Sequence, residues 1–169
     1  MFFRKKKSAA KFVPVALPAP AEPDMDSRKK VLVIDDDPVI VKAVTLALHA
    51  RGYRVLSALD GAEAIDIFRE KNPDVLLVDV HLPPDAATEG AVLSDGFQVT
   101  RWLQLANSRK VPTIIMSGSD KPEFKRLAAS LGAVCFMTKP LNSATLVKAI
   151  EVALVSRGPK GHEFDRKTA

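Results

Sequence analysis

The chain has 169 residues, 47% hydrophobic and 27% charged, which suits one domain with a substantial core and leaves little for a second. No long uncharged apolar stretch occurs, so no membrane span is expected, and a single cysteine, Cys135, excludes an intrachain disulfide and fits a reducing, cytoplasmic setting. The net charge of +5 sits at one end: residues 1–30 hold eight Lys and Arg against three Asp and Glu, leaving seventeen of each sign in the rest. A neutral body lacks the basic face of a nucleic-acid-binding fold, so no direct nucleic-acid contact is expected.

Residues 1–27 read as a disordered leader. The cluster Arg4-Lys5-Lys6-Lys7 is followed by Pro14, Pro18, Pro20 and Pro23 among alanines, a spacing that favours extended polyproline II over a packed element. The start lacks the apolar stretch of a secretory signal.

From Lys30 the pattern alternates strand and helix. A first strand at about 31–35 runs into Asp35-Asp36-Asp37, with Asp37 as N-cap and Pro38 opening a helix that carries Ile40, Val44, Ala47 and Leu48 inward. Gly52 ends it, and residues 53–57 form a second strand. Asp60 with Glu63 reads as a capping box for a second helix carrying Ala64, Ile65 and Phe68 inward. Asn72-Pro73 breaks that helix, and a third strand runs to Asp79.

A long connection, 80–94, follows. Asp95 with Gln98 caps a third helix that turns Val99, Trp102 and Leu103 inward. A fourth strand at about 111–116 ends at Ser117-Gly118-Ser119. Asp120 and Glu123 read as the cap of a fourth helix carrying Phe124, Leu127, Ala128 and Leu131 and stopping at Gly132. A fifth strand, 133–138, runs into Lys139-Pro140, and a fifth helix starts near Asn142 and ends near Gly158. Residues 158–169 read as a polar tail. The folded body is expected over 28–157.

Five strands alternating with five helices imply an α/β fold, a doubly wound parallel sheet with helices on both faces. The commonest order for five strands is the flavodoxin-like 2-1-3-4-5, whose ligand crevice lies beyond the carboxyl ends of strands one and three. Asp35, Asp36 and Asp79 belong at that crevice. Two unit charges 4 Å apart cost about 4 kcal/mol at an effective dielectric of 20, so the cluster calls for a cation or a raised pKa. A hard divalent cation such as Mg²⁺ takes such oxygens together with phosphate oxygens. Lys139 adds a point charge for a phosphate oxygen, Ser117 a hydroxyl donor, and Asp79 a carboxylate able to act as nucleophile.

Four segments in order resemble the receiver domains of bacterial two-component response regulators, of the chemotaxis-regulator type. They are Val-Leu-Val-Ile-Asp35-Asp36-Asp37-Pro38, Asp74-Val-Leu-Leu-Val-Asp79-Val-His-Leu-Pro83, Pro112-Thr-Ile-Ile-Met-Ser117-Gly118 and Gly132-Ala-Val-Cys-Phe136-Met-Thr-Lys139-Pro140. The resemblance covers about 30–156. It implies that Asp35 and Asp36 hold Mg²⁺, directly or through water, together with Asp79 and the backbone carbonyl of His81. It implies that Asp79 accepts a phosphoryl group from a histidine kinase or phosphotransfer protein, that Ser117 and Lys139 bind its oxygens, and that Phe136 occupies the aromatic switch position coupled to Ser117. Output would then come from binding an unidentified downstream protein through helix four, strand five and helix five, with a homodimer left open.

The reading is therefore a stand-alone receiver, a phosphoacceptor signalling module and not an enzyme. Its alternatives are a phosphorylation-independent adaptor with the same fold and a small Mg²⁺-dependent aspartyl phosphatase. The connection after Asp79 is longer than the family's usual one, which raises the expectation of a lid or partner element carrying Asp85 or Glu89 toward the metal, against that of tolerated surface slack.

Overall fold

A computed structural model describes residues 27–83, 95–106 and 110–156. The leader, the stretch 84–94 with Asp85 and Glu89, and the polar tail lie outside the described residues. The elements run β1 (Lys30–Ile34), α1 (Pro38–His49), β2 (Arg54–Ala58), α2 (Gly61–Lys71), β3 (Val75–Asp79), α3 (Gly96–Leu105), β4 (Thr113–Ser117), α4 (Pro122–Ser130), β5 (Cys135–Thr138) and α5 (Ser143–Val155).

The strands form one parallel sheet in the order β2-β1-β3-β4-β5. This is the expected α/β, flavodoxin-like order. β1, β3 and β4 are apolar on both sides because both of their faces are covered, and Val31–Ile34, Val75–Val78 and Ile114–Met116 are at most 1% exposed. Alternation divides the core. Val31, Val33, Val75, Leu77, Ile114 and Met116 pack with α1 and α5 through Val44, Leu48, Leu146 and Ile150. Leu32, Ile34, Leu76, Val78 and Ile115 pack with α2, α3 and α4 through Ala64, Phe68, Val99, Leu103 and Ala128. Burying each of these Leu and Ile side chains stabilises the fold by about 2 kcal/mol.

The helix starts follow local chemistry. The side chains of Asp37, Asp60 and Asp95 accept from the backbone N–H of Val39, Glu63 and Gln98, each at 2.8 Å, and Asn142 accepts from Ala144 and Thr145. Glu63 completes its capping box one residue early, accepting from the N–H of Leu59 at 2.8 Å. α2 ends on Asn72 at φ 50°, a left-handed cap that its short polar side chain tolerates.

Helix α4 departs from expectation. Its N-cap is Lys121, without a side-chain hydrogen bond, and Pro122 stands at its first position. Asp120 does not cap it, because its carboxylate is engaged by Thr138 and Lys125. Pro122, whose fixed φ suits a first helical residue, sets the start instead. Leu127 is 43% exposed and lies outside the core, whereas Phe124 and Leu131 pack against it. Cys135 is half-buried, and burial raises its thiol pKa. Trp102 packs against the core beneath Arg69, whose guanidinium carbon lies 4.9 Å from the ring centre.

Candidate functional site

Register brings the charged strand ends together. Ile34 pairs with Val78, so Asp35 emerges beside Asp79 at the carboxyl edge. The N–H of Asp35 still reaches the carbonyl of Ala58 at 3.1 Å, and that of Val80 reaches Met116 at 2.9 Å, so the sheet holds both carboxylates from behind. β5 sends Lys139 back over this edge. Its ammonium lies 2.7 Å from Asp35 Oδ2 and 3.1 Å from Asp79 Oδ1.

Asp35 is wholly buried and Asp79 is 3% exposed, while Asp36 is exposed. Two backbone donors orient the buried pair: the N–H of Asp37 meets Asp35 Oδ1 at 3.0 Å, and the N–H of His81 meets Asp79 Oδ2 at 3.1 Å. The other two oxygens, Asp35 Oδ2 and Asp79 Oδ1, are buried and, among the described residues, meet the Lys139 ammonium at ion-pair distance and without hydrogen-bond geometry.

Burial pushes the Asp79 carboxyl above its ordinary range. Lys139 pulls the other way, the Asp35 charge adds to the rise, and the His81 N–H opposes it. For Lys139, burial alone would lower the ammonium pKa, but the Asp35 and Asp79 carboxylates outweigh it and hold the pKa above its ordinary value.

Ser117 closes the end of β4, wholly buried, with its Oγ accepting from the N–H of Ser119 at 3.1 Å. Its carbonyl accepts from the N–H of Lys139 at 2.7 Å. Phe136 is half-buried and packs against the α2–α3–α4 side of the core. The His81 side chain is exposed, its ring 5.7 Å from that of Phe124 and edge-on to it.

One residue not singled out from the sequence is fixed by this edge. A Cβ on Gly96 would lie 1.7 Å from the Asp79 carbonyl oxygen, and the Gly96 N–H donates to Val80 O at 2.9 Å. The first residue of α3 therefore packs against the backbone of Asp79 at a distance only glycine allows. Its sequence signal was a glycine directly after the Asp95 cap.

Among the described residues, Asp35, Asp36 and Asp79 each offer a carboxylate oxygen, all within 4.8 Å of one another. Three hard oxygen donors, two of them buried, fit a divalent cation of the Mg²⁺ class. No helix among the described residues is long and apolar enough to cross a membrane.

A parallel sheet in this order, with its acids and lysine at the switch-point crevice, defines a flavodoxin-like protein of the chemotaxis-regulator kind. The family model for the response regulator receiver domain matches residues 31–151. Protein PilH of Pseudomonas aeruginosa is 32% identical over 126 residues, which are 74% of this chain and 97% of PilH. Response regulator GtcR of Aneurinibacillus migulanus is 32% identical over 75% of this chain, and the match spans 48% of GtcR. The solved structure of chemotaxis protein CheY4 of Vibrio cholerae superposes with a TM-score of 0.66 at 28% identity, covering 76% of this chain and all of CheY4. The chain belongs to the response regulator receiver domain family.

Proposed function

We propose that this receiver domain takes a phosphoryl group onto Asp79 in a Mg²⁺-dependent reaction and signals by presenting an altered surface to a protein partner. The observation that carries the reading is the Asp79 carboxylate itself: buried, oriented through Oδ2 by the His81 N–H, and facing Lys139 through Oδ1. In the transfer, an Asp79 oxygen attacks phosphorus and the P–N bond to a donor phosphohistidine breaks. The bonding electron pair leaves with the imidazole, giving an acyl phosphate. Asp35, Asp36, Asp79 and the His81 carbonyl would hold the cation, which when bound neutralises charge on the phosphoryl oxygens.

Lys139 is already charged and placed between the two buried acids, so it can move from a carboxylate to a phosphoryl oxygen without crossing the pocket. Ser117 sits at the end of the adjacent strand with its hydroxyl hydrogen free to donate. Phe136, half-buried on β5 against the α2–α3–α4 side of the core, would carry motion of Ser117 toward the α4–β5–α5 surface. On this reading the domain is a phosphoacceptor that assists its own phosphorylation and loss of phosphate, not an enzyme acting on other substrates. Its donor is a histidine kinase or phosphotransfer protein.

The test is incubation of the full chain with Mg²⁺ and acetyl phosphate. Gain of one labile phosphoryl mass, abolished by EDTA, supports the reading. The adaptor alternative requires no adduct, and the phosphatase alternative, which a receiver fold does not favour, requires continuous phosphate release from unrelated monoesters.

A further inference from the structure

Asp120 and Thr138 lie outside the acid pocket, yet they join the two strands that carry Ser117 and Lys139. Ser117 and Thr138 are register partners across β4 and β5. Beyond Ser117 the chain turns through Gly118 and Ser119 to Asp120. The hydroxyl of Thr138 donates to Asp120 Oδ1 at 3.1 Å, and the Lys125 ammonium of α4 lies 2.6 Å from the same oxygen. One carboxylate oxygen therefore ties the end of β5, the turn after β4 and the second turn of α4. Lys125 and Thr138 together hold the Asp120 carboxyl below its ordinary range, so it stays ionised at neutral pH.

The same turn keeps the Ser117 oxygen engaged with the Ser119 N–H. On the proposed reading, Ser117 moving to a phosphoryl oxygen on Asp79 would draw the turn 117–120 with it, against the Asp120–Thr138 contact. An interaction made in only one of two conformations biases their equilibrium by its own worth, and for an exposed contact of this kind that is about threefold.

We propose that the Asp120–Thr138 clasp, braced by Lys125, is a positioning element that holds the 117–120 turn back from Asp79 and sets how readily the domain adopts its phosphoryl-bound form. The proposal rests on Asp79 as the phosphoryl acceptor. Thr138 and Asp120 act through Ser117 and touch no reacting atom.

The test uses the full chain, Mg²⁺ and beryllofluoride as a phosphoryl mimic, with affinity read by calorimetry. Thr138→Val and Asp120→Ala are each expected to bind about threefold more tightly than the unaltered chain. The double variant should gain no more than either one, and Thr138→Ser, which keeps the hydroxyl, should match the unaltered chain. A second readout needs neither metal nor mimic: amide hydrogen exchange over 117–121 should quicken in Thr138→Val and not in Thr138→Ser. Equal or weaker binding by Thr138→Val, or exchange unchanged from the unaltered chain, overturns the clasp. If the unaltered chain binds no beryllofluoride, the acceptor reading falls, and the exchange measurement alone decides whether the clasp restrains the turn.

Discussion

Lys139 reaches back over the sheet edge from β5 and places its ammonium 2.7 Å from Asp35, at the end of a strand three places away in the sheet order. The same nitrogen contacts Asp79, so one cation serves two buried carboxylates. Removing one partner of a buried ion pair leaves uncompensated charge, at a cost of about 3–5 kcal/mol. Lys139→Met is expected to lose stability of that order in urea unfolding without metal, and to recover much of it with Mg²⁺. An unchanged urea midpoint would show that the pair carries little of the local electrostatics.

Asp79 gives the opposite sign. Its carboxyl pKa is raised in the folded protein, chiefly by burial, above its ordinary value of 3.8. Such a group favours folding while it is protonated, below the unfolded-state value, and that contribution is lost as pH rises through the folded-state value. Asp79→Asn removes the ionisation and leaves Lys139 with Asp35. Without metal, the variant is expected to melt higher than the unaltered chain at pH 7, with the gap closing toward pH 3.5. A gap independent of pH would assign the effect to packing.

Asp36 is exposed and outside the ion pair, so the fold does not depend on its charge. Asp36→Asn is expected to keep the metal-free melting temperature. A ligand at a hundred times its Kd stabilises by about 2.7 kcal/mol, and most of the Mg²⁺-induced rise in melting temperature is expected to vanish in the variant. A full Mg²⁺ shift in Asp36→Asn would remove that residue from the metal site.

Gly96→Ala forces a methyl into the space of the Asp79 carbonyl. Overpacking against backbone costs about 1–3 kcal/mol, and here the displaced backbone is that of the acceptor residue. The variant is expected to lose stability in urea and also to phosphorylate more slowly with acetyl phosphate. Loss of stability with an unchanged rate would show that α3 and β3 separate without disturbing the carboxylate.

The parallel sheet, its order and the pairing of Asp35 with Asp79 were legible because strand ends, capping residues and crossover rules are local or topological. Asp37, Asp60 and Asp95 cap the helices their spacing announced, and Asn142 caps the helix expected to start near it. The start of α4 was not legible. Asp120 and Glu123 have capping-box spacing, but Asp120 is drawn to Thr138, eighteen residues on, a contact that no local pattern encodes. Gly96 was hidden for the same reason, since what forbids a side chain there is the Asp79 carbonyl on the neighbouring strand. Strand limits moved by a residue or two: β4 runs over Thr113–Ser117, where 111–116 was expected, because Val111 and Pro112 precede its pairing with β3.

The most direct measurement of the central claim is intact mass after exposure to acetyl phosphate and Mg²⁺, made on the unaltered chain and on Asp79→Asn. A single phosphoryl adduct on the unaltered chain, labile to base and absent from Asp79→Asn, is the expected result. An adduct of equal yield on both proteins, or on neither, would contradict the assignment of Asp79 as the phosphoryl acceptor.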